Sequence, residues 1–264
     1  MFENKITLYC GDSGEVLKSF PDNCIDLTVT SPPYDNLRNY QGFSFNFELI
    51  AQQLFRVTKS GGVVVWVVGD STIKGSESGT SFKQALYFKE IGFNLHDTMI
   101  YAKNNPVPLT HNRYEQQFEY MFILSKGKPK TFNPLKQPTQ KPGNPVSRKR
   151  ENREYDKDSI RFRDEITITE SEKYKFNIWF YSIGKRFGIG NKHSAVFPEE
   201  LSKDHILSWS NEGDIVLDPF TGSGTTLKVG LELNRKVVGI EISQKYIDEI
   251  IIPRLKLVTN KEQQ

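Results

Sequence analysis

Strand-like and helix-like segments alternate along most of this chain, and that alternation predicts an α/β fold with a mostly parallel sheet covered by helices on both faces. Three observations carry the expectation. Val63–Val68 is continuously apolar and Ile25–Thr30 is rich in β-branched residues, the mark of strands buried on both sides. Phe47–Val57 and similar stretches repeat apolar residues at helical spacing. Two strands then run into unusual loops, Ser31-Pro32-Pro33 and Pro219-Phe220-Thr221-Gly222, at the carboxyl ends where such sheets bind ligands.

Each element follows from local signals. Lys5–Cys10 reads as a first strand, followed by Gly11-Asp12-Ser13. Ile25–Thr30 is a second strand, ended by Ser31-Pro32-Pro33 because two prolines cannot continue a central strand. Phe47–Val57 reads as a helix with Gly61-Gly62 as its stop, and Val63–Val68 as the next strand. Ser81–Ile91 reads as a helix ending at Gly92, with strands at Met99–Ala102 and Tyr120–Leu124. The pattern resumes near Ala195. Pro198–Trp209 reads as a helix with Pro198 near its start and Glu199 and Glu200 in the first turn. Asp214–Asp218 is a short strand, Thr225–Leu233 a helix, Lys236–Glu241 a strand, and Ser243–Leu255 a final helix kinked at Pro253. There is no internal repeat.

At 264 residues the chain suits one domain, or one with a large insertion. A net charge of +3 points to no partner by itself. Cys10 and Cys24 are too few for a disulfide framework and are not spaced as a redox or zinc pair. His96, His111, His193 and His205 form no metal-ligand pattern, so no metal is expected. No apolar run is long enough to cross a membrane, and Met1–Lys5 does not begin a signal peptide. A soluble, cytoplasmic protein is the expectation.

Composition changes after Leu124. Lys126–Arg153 carries Lys126, Lys128, Lys130, Lys136, Lys141, Arg148, Lys149, Arg150 and Arg153 against the single acid Glu151, with prolines interspersed. Such a stretch builds no packed core of its own. Ser159–Trp179 regains β-branched and aromatic residues, which predicts a partly folded insert. The expected division is therefore 1–125, an insert at 126–190, and 191–264.

Asp218-Pro219-Phe220-Thr221-Gly222-Ser223-Gly224-Thr225-Thr226 lies between a strand and a helix. Its glycines let backbone approach a ligand closely, and the helix start presents free N–H groups. Three readings compete. A phosphate loop needs Gly-Lys-Ser/Thr, and no lysine follows Gly224. A dinucleotide site needs a third Gly or Ala where Leu227 stands. A plain tight turn would not require nine specific residues. The next strand ends in Gly239-Ile240-Glu241, which places a carboxylate where it can accept hydrogen bonds from both hydroxyls of a ribose. A glycine loop with a strand-end acid suits an adenosine ligand without phosphates.

Taken alone, Thr30-Ser31-Pro32-Pro33-Tyr34 is a proline-stiffened turn. It also meets a chemical demand. The exocyclic amine of cytosine or adenine is a poor nucleophile because its lone pair is delocalised into the ring. Fixed acceptors for its N–H groups draw that pair out of conjugation. Ser31 Oγ and the Pro32 carbonyl can be those acceptors, and the prolines hold them in place. Tyr34 offers a ring on which a flipped base can stack.

Both motifs resemble those of the DNA amino-methyltransferases. The glycine loop matches that family's Asp-Pro-Phe-x-Gly-Ser-Gly-Thr-Thr at every position, and Ser31-Pro32-Pro33-Tyr34 is similar to its catalytic Asp/Asn/Ser-Pro-Pro-Tyr/Phe. Turn first and loop last is the order of the β class, a circular permutation of the Rossmann-like S-adenosylmethionine-dependent methyltransferase fold. Gly11-Asp12-Ser13, Phe47–Gly62, Gly69-Asp70, Lys103–Lys126 and Lys192–Pro198 resemble further blocks of the class, although Ser194 replaces a usual Pro. The resemblance covers residues 5–125 and 190–255.

The resemblance implies S-adenosylmethionine as cofactor, held by Asp12, Ser13, His193, Phe197, Asp218, Pro219, Phe220, Gly222, Ser223, Gly224, Thr225, Thr226, Glu241 and Ile242. It implies Ser31, Pro32, Pro33 and Tyr34 as the catalytic turn. Serine at the first position goes mainly with N4-cytosine methylation and aspartate mainly with N6-adenine, so N4-cytosine is expected and N6-adenine is the alternative. RNA or a protein glutamine are remoter substrates, and a non-enzymatic DNA-binding module is a further option. The basic insert occupies the place of the family's target-recognition region, which makes duplex DNA the partner. A solvated linker is the other reading of the insert. Arg148, Lys149 and Arg150 are expected on phosphates; Asn36, Arg38 and Tyr40 either contact the target nucleotide or its flanks or pack the loop, and Arg113 is expected on DNA. A cognate restriction endonuclease is an implied partner, and the chain is expected to be a monomer or a homodimer.

Overall fold

The computed structural model describes residues 2–33, 46–106, 113–138, 172–182 and 198–261. Two compact units contain them: Met1–Asn133 with Asn177–Gln264, and Pro134–Phe176. In chain order the elements are β1 (Ile6–Cys10), α1 (Ser13–Lys18), β2 (Ile25–Thr30), α2 (Phe47–Val57), β3 (Thr58–Val68), β4 (Thr72–Ile73), β5 (Ser76–Glu77), α3 (Thr80–Glu90), β6 (Asn94–Lys103), β7 (Phe118–Ser125), β8 (Lys136–Pro138), β9 (Glu172–Tyr174) and β10 (Ile178–Tyr181). There follow α4 (Glu199–Trp209), β11 (Ile215–Asp218), α5 (Thr225–Glu232), β12 (Lys236–Glu241), α6 (Gln244–Tyr246), a π-helical turn (Ile247–Ile251) and α7 (Ile252–Lys261).

The larger unit is built on an eight-stranded sheet in the order β1-β12-β11-β2-β3-β7-β6-β10. β7 pairs antiparallel with both neighbours, and every other pairing in the sheet is parallel. From β2 the chain moves outward to β3, whereas from β11 it moves the other way to β12. The β2–β11 boundary is therefore a topological switch point, where a crevice opens beyond the carboxyl ends of the strands.

Both faces are covered. On one face Leu17 of α1, Ile50, Ala51, Leu54 and Val57 of α2, and Ala85 and Phe88 of α3 pack on Val64, Trp66, Val68, Leu217 and Ile240. On the other face Leu227 and Leu231 of α5 and Leu255 and Val258 of α7 pack on Val237. Trp66 is fully buried among Phe47, Phe88 and Phe220, with its indole N–H donating to Gln84 at 2.8 Å.

Three expectations change. β3 begins at Thr58, so Gly61-Gly62 lies inside the strand rather than stopping a helix. A Cβ on Gly62 would sit 2.8 Å from Thr58 Cγ2 and 2.9 Å from the Asp26 carbonyl, so the site takes no side chain. The last helical run continues past the expected Leu255 to Lys261, with a π-turn just before Pro253. A two-stranded hairpin, β4 with β5, follows β3 where no strand was expected.

The compact units divide at Asn133/Pro134 and Phe176/Asn177, inside the expected limits of 126 and 190. Lys126 belongs to the larger unit because its ammonium donates to the carbonyls of Phe55 and Thr58 at 2.7 and 2.9 Å. β10 belongs there because it pairs with β6 as the sheet's edge. Within Pro134–Phe176, β8 and β9 pair antiparallel.

Candidate active site at the β2–β11 switch point

β2 delivers Thr30, Ser31, Pro32 and Pro33 to the carboxyl end of the sheet. Pro32 is buried, while Ser31 and Pro33 are half-buried. Beside β2 lies β11, whose last residue, Asp218, opens the glycine loop. The hydroxyl of Thr30 donates to Asp218 Oδ1 at 2.7 Å. A second link joins the Thr226 hydroxyl to the Val29 carbonyl at 3.3 Å. The two motifs that the sequence keeps far apart thus share one rim.

The loop is held by its own backbone and by neighbouring strands. Thr221 N–H donates to the Ile240 carbonyl at 3.0 Å, and Gly224 N–H closes the turn on the Thr221 carbonyl at 2.8 Å. Gly222 and Gly224 both adopt positive φ, +53° and +79°, which a residue with a Cβ takes at a cost. Gly239 has a different role: a Cβ there would lie 2.5 Å from Leu227 Cδ1 and 2.6 Å from Thr221 Oγ1, so glycine lets the loop close on β12. Ser13 donates to the Pro219 carbonyl, which fastens the loop to the β1–α1 turn. Phe220 packs edge-on against Trp66 at 6.2 Å.

Glu241 ends β12 and is buried. Both its carboxylate oxygens accept backbone N–H groups, among them Gly222 at 2.9 Å and Ser243 at 3.0 Å. A carboxylate has about four lone-pair positions, so acceptor capacity remains beyond these backbone amides. Burial pushes the Glu241 carboxyl up, while the amide hydrogen bonds from Ser243, Gly222 and Ile242 pull it back. Ile242 leaves much of its side chain exposed next to it. Burial also pushes Asp218 up to about 6, against the pull of the hydrogen bonds from Thr30, Phe220 and Thr226. Two buried carboxylates and positive-φ glycines at adjacent strand ends suit a ligand with ribose hydroxyls and no phosphate.

The structure brings together Asp12, Ser13, Asp218, Pro219, Phe220, Gly222, Ser223, Gly224, Thr225, Thr226, Glu241 and Ile242 at neighbouring strand ends. Asp12 caps α1 by accepting the Glu15 N–H at 3.1 Å. Arg113 donates to the Gly75 carbonyl and lies 3.9 Å from Glu77, which places it on the β4–β5 hairpin. Tyr34, Asn36, Arg38, Tyr40, Arg148, Lys149, Arg150, His193 and Phe197 lie outside the described residues.

Three contributors were not legible as such. Thr30 is a polar residue at the end of an apolar central strand, a signal that was present but unused. Asp70 accepts from Ser78 and from the N–H and hydroxyl of Ser81, so it starts α3 beside this rim. Arg254 reaches the loop from α7, with no local signal in the sequence.

Comparison with known proteins agrees with this geometry. A DNA methylase family model (N6_N4_Mtase) matches residues 25–252. Orphan methyltransferase M.BamHII of Bacillus amyloliquefaciens is 58% identical over 240 residues, 89% of this chain and 90% of that protein. Type II methyltransferase M.BglII of Bacillus subtilis is 28% identical over 257 residues, covering 93% of this chain and 67% of that one. Among solved structures, the DNA modification methylase TTHA0409 of Thermus thermophilus, complexed with S-adenosyl-L-methionine, superposes with a TM-score of 0.64 at 26% identity, over 96% of this chain and 95% of that one. PvuII DNA methyltransferase, cytosine-N4-specific, shares the fold with a TM-score of 0.68 at 21% identity, over 98% and 94% of the two chains. The chain belongs to the DNA methylase family of N4/N6 amino-methyltransferases, with its motifs in β-class order.

Proposed function

We propose that this chain transfers a methyl group from S-adenosylmethionine to the exocyclic N4 amine of cytosine in duplex DNA, after flipping the base out of the helix. The observation that carries the reading is Ser31, a serine where an aspartate would stand in the adenine-type turn, set on the rim beside the glycine loop. Gly222–Thr226 would hold the amino-acid portion of the cofactor and Glu241 its ribose hydroxyls, with Ile242 against the adenine. The fit is supported by the spare acceptor capacity of Glu241 and by the close backbone approach that Gly222 and Gly224 permit.

When bound, the cofactor supplies an electrophilic methyl group on a sulfonium and leaves as S-adenosylhomocysteine. The chain's own residues act on the base. Ser31 Oγ and the Pro32 carbonyl accept the amine N–H groups and localise its lone pair, which forms the new N–C bond. One amine proton leaves, ultimately to water. Because the prolines hold these acceptors, little reorganisation accompanies the reaction. Tyr34 stacks on the extruded base, and extrusion is required because the amine is otherwise paired within the duplex. The basic insert, Arg148, Lys149 and Arg150 above all, neutralises phosphates and contributes target recognition. A restriction endonuclease cutting the same site would be the natural partner.

Nucleoside mass spectrometry of duplex DNA methylated by the purified protein tests the proposal. N4-methylcytosine is the expected product. N6-methyladenine alone would overturn the base assignment, and labelled methyl transfer only to RNA or protein would overturn the substrate.

A further inference from the structure

The glycine loop is braced from behind by a cation that belongs to neither motif. Arg254, on α7, directs Nη1 at three acceptors of the loop: the Ser223 carbonyl at 2.9 Å, the Ser223 hydroxyl at 3.2 Å and the Thr225 hydroxyl at 3.1 Å. Its Nη2 donates to Glu199 Oε1 at 2.6 Å. Glu199, the first residue of α4, is in turn held through Oε2 by Lys228 of α5 at 2.7 Å. The Arg254 side chain is 16% exposed and that of Glu199 44%, so the guanidinium is shielded while its carboxylate anchor meets solvent on one side. Burial alone would raise the Glu199 carboxyl, but the hydrogen bonds from Lys228 and Arg254 outweigh it and hold the group below its usual range, ionised at neutral pH.

We propose that Arg254 is a positioning residue for the cofactor loop: anchored by Glu199, its guanidinium fixes Ser223 and Thr225 and so sets the path of the backbone that receives S-adenosylmethionine. A guanidinium is suited to this because its donors lie in one rigid plane, so fixing one nitrogen on Glu199 aims the other at the loop. A lysine keeps the charge but loses that relation. Lys228 provides an internal control, since its ammonium contacts Glu199 and Glu232 and no residue of the loop.

The inference rests on the cofactor assignment made above, and the experiment separates the two. Calorimetry with S-adenosylmethionine compares the full-length parent, Arg254→Lys and Lys228→Gln, with thermal unfolding of each. Arg254→Lys is expected to weaken the cofactor on the order of tenfold, about the size of one charge-assisted hydrogen bond. In steady state the loss falls on KM for the cofactor rather than on kcat. Lys228→Gln is expected to bind as the parent does. Equal affinity of Arg254→Lys and parent would overturn the proposal. So would an equal loss in both variants, which would mean that the network only stabilises the fold. If Arg254→Lys does not fold, Glu199→Gln carries the test: a severalfold loss supports the proposal and parental affinity overturns it. A parent that does not bind S-adenosylmethionine overturns the cofactor assignment instead.

Discussion

The Thr30 hydroxyl donates to Asp218 Oδ1 at 2.7 Å, and both residues are buried. Thr30 is the residue before Ser31, and Asp218 is the first residue of the glycine loop. One hydrogen bond therefore spans the switch point and ties the Ser31-Pro32-Pro33 turn to the glycine loop. Thr30→Val keeps the shape and deletes the donor. The variant is expected to lose about 1.5–3 kcal/mol of stability, the range for a hydrogen bond to a charged group. It also removes an interaction that favours the ionised carboxyl, so the acid limb of the pH–rate profile moves to higher pH. Urea unfolding and a pH–rate profile check both, and an unshifted acid limb refutes the link to Asp218.

His205 predicts a second pH effect. It is fully buried, its Nδ1 has no hydrogen-bond partner among the described residues, and its Nε2 faces the Met121 sulfur at 3.2 Å. Burial lowers its pKa from 6.5 to about 3. Below 6.5 the unfolded chain takes up this proton and the native state does not, so stability falls as pH drops toward 3. Asp218 has the opposite sign. Its pKa is raised from 3.8 to about 6, so its contribution is full below 3.8 and is lost as pH rises through 6. The two oppose each other in mildly acid solution. His205→Leu, of similar volume, removes one of them. It should match the parent near neutral pH and exceed it in stability near pH 5, measured by urea unfolding at both. Parallel pH dependences in variant and parent would count against this.

Ser31→Ala tests the acceptor role. Loss of one preorganised group that contacts the reacting centre typically costs 10²–10³ in kcat. Single-turnover rates are expected to fall by about that factor, while calorimetry shows cofactor affinity within about twofold of the parent. An unchanged rate removes Ser31 from the mechanism.

Glu241→Gln tests the ribose acceptor. The carboxylate accepts from Gly222 and Ser243, so an amide would turn its NH₂ toward one of those N–H donors. Cofactor affinity is expected to fall by roughly ten- to a hundredfold, given 1.5–3 kcal/mol for a hydrogen bond to a charged group. Parental affinity in calorimetry would show that the ribose is held elsewhere.

Most of the framework was legible because it rests on local preferences. β2, α2 and β12 have the bounds read from the sequence, since β-branched runs and helical spacing act over a few residues. The compact units divide inside the expected insert limits for a physical reason. Lys126 opens the basic tract and Ile178–Tyr181 closes the β-branched and aromatic stretch of the insert, but the ammonium finds carbonyls on α2 and β3, and the strand finds an edge on β6. Neither partner is adjacent in sequence.

The sequence by itself determined that a strand ends in Ser31-Pro32-Pro33, that another opens the loop at Asp218, and that Glu241 closes a third. Prolines, positive-φ glycines and strand-end acids impose these features through their own backbone chemistry. Tertiary structure alone decided that β2 and β11 are neighbours, that Thr30 meets Asp218, and that Arg254 and Glu199 brace the loop from two other helices. Those contacts depend on strand order and helix packing, and no local preference specifies which distant residue a buried polar group will meet.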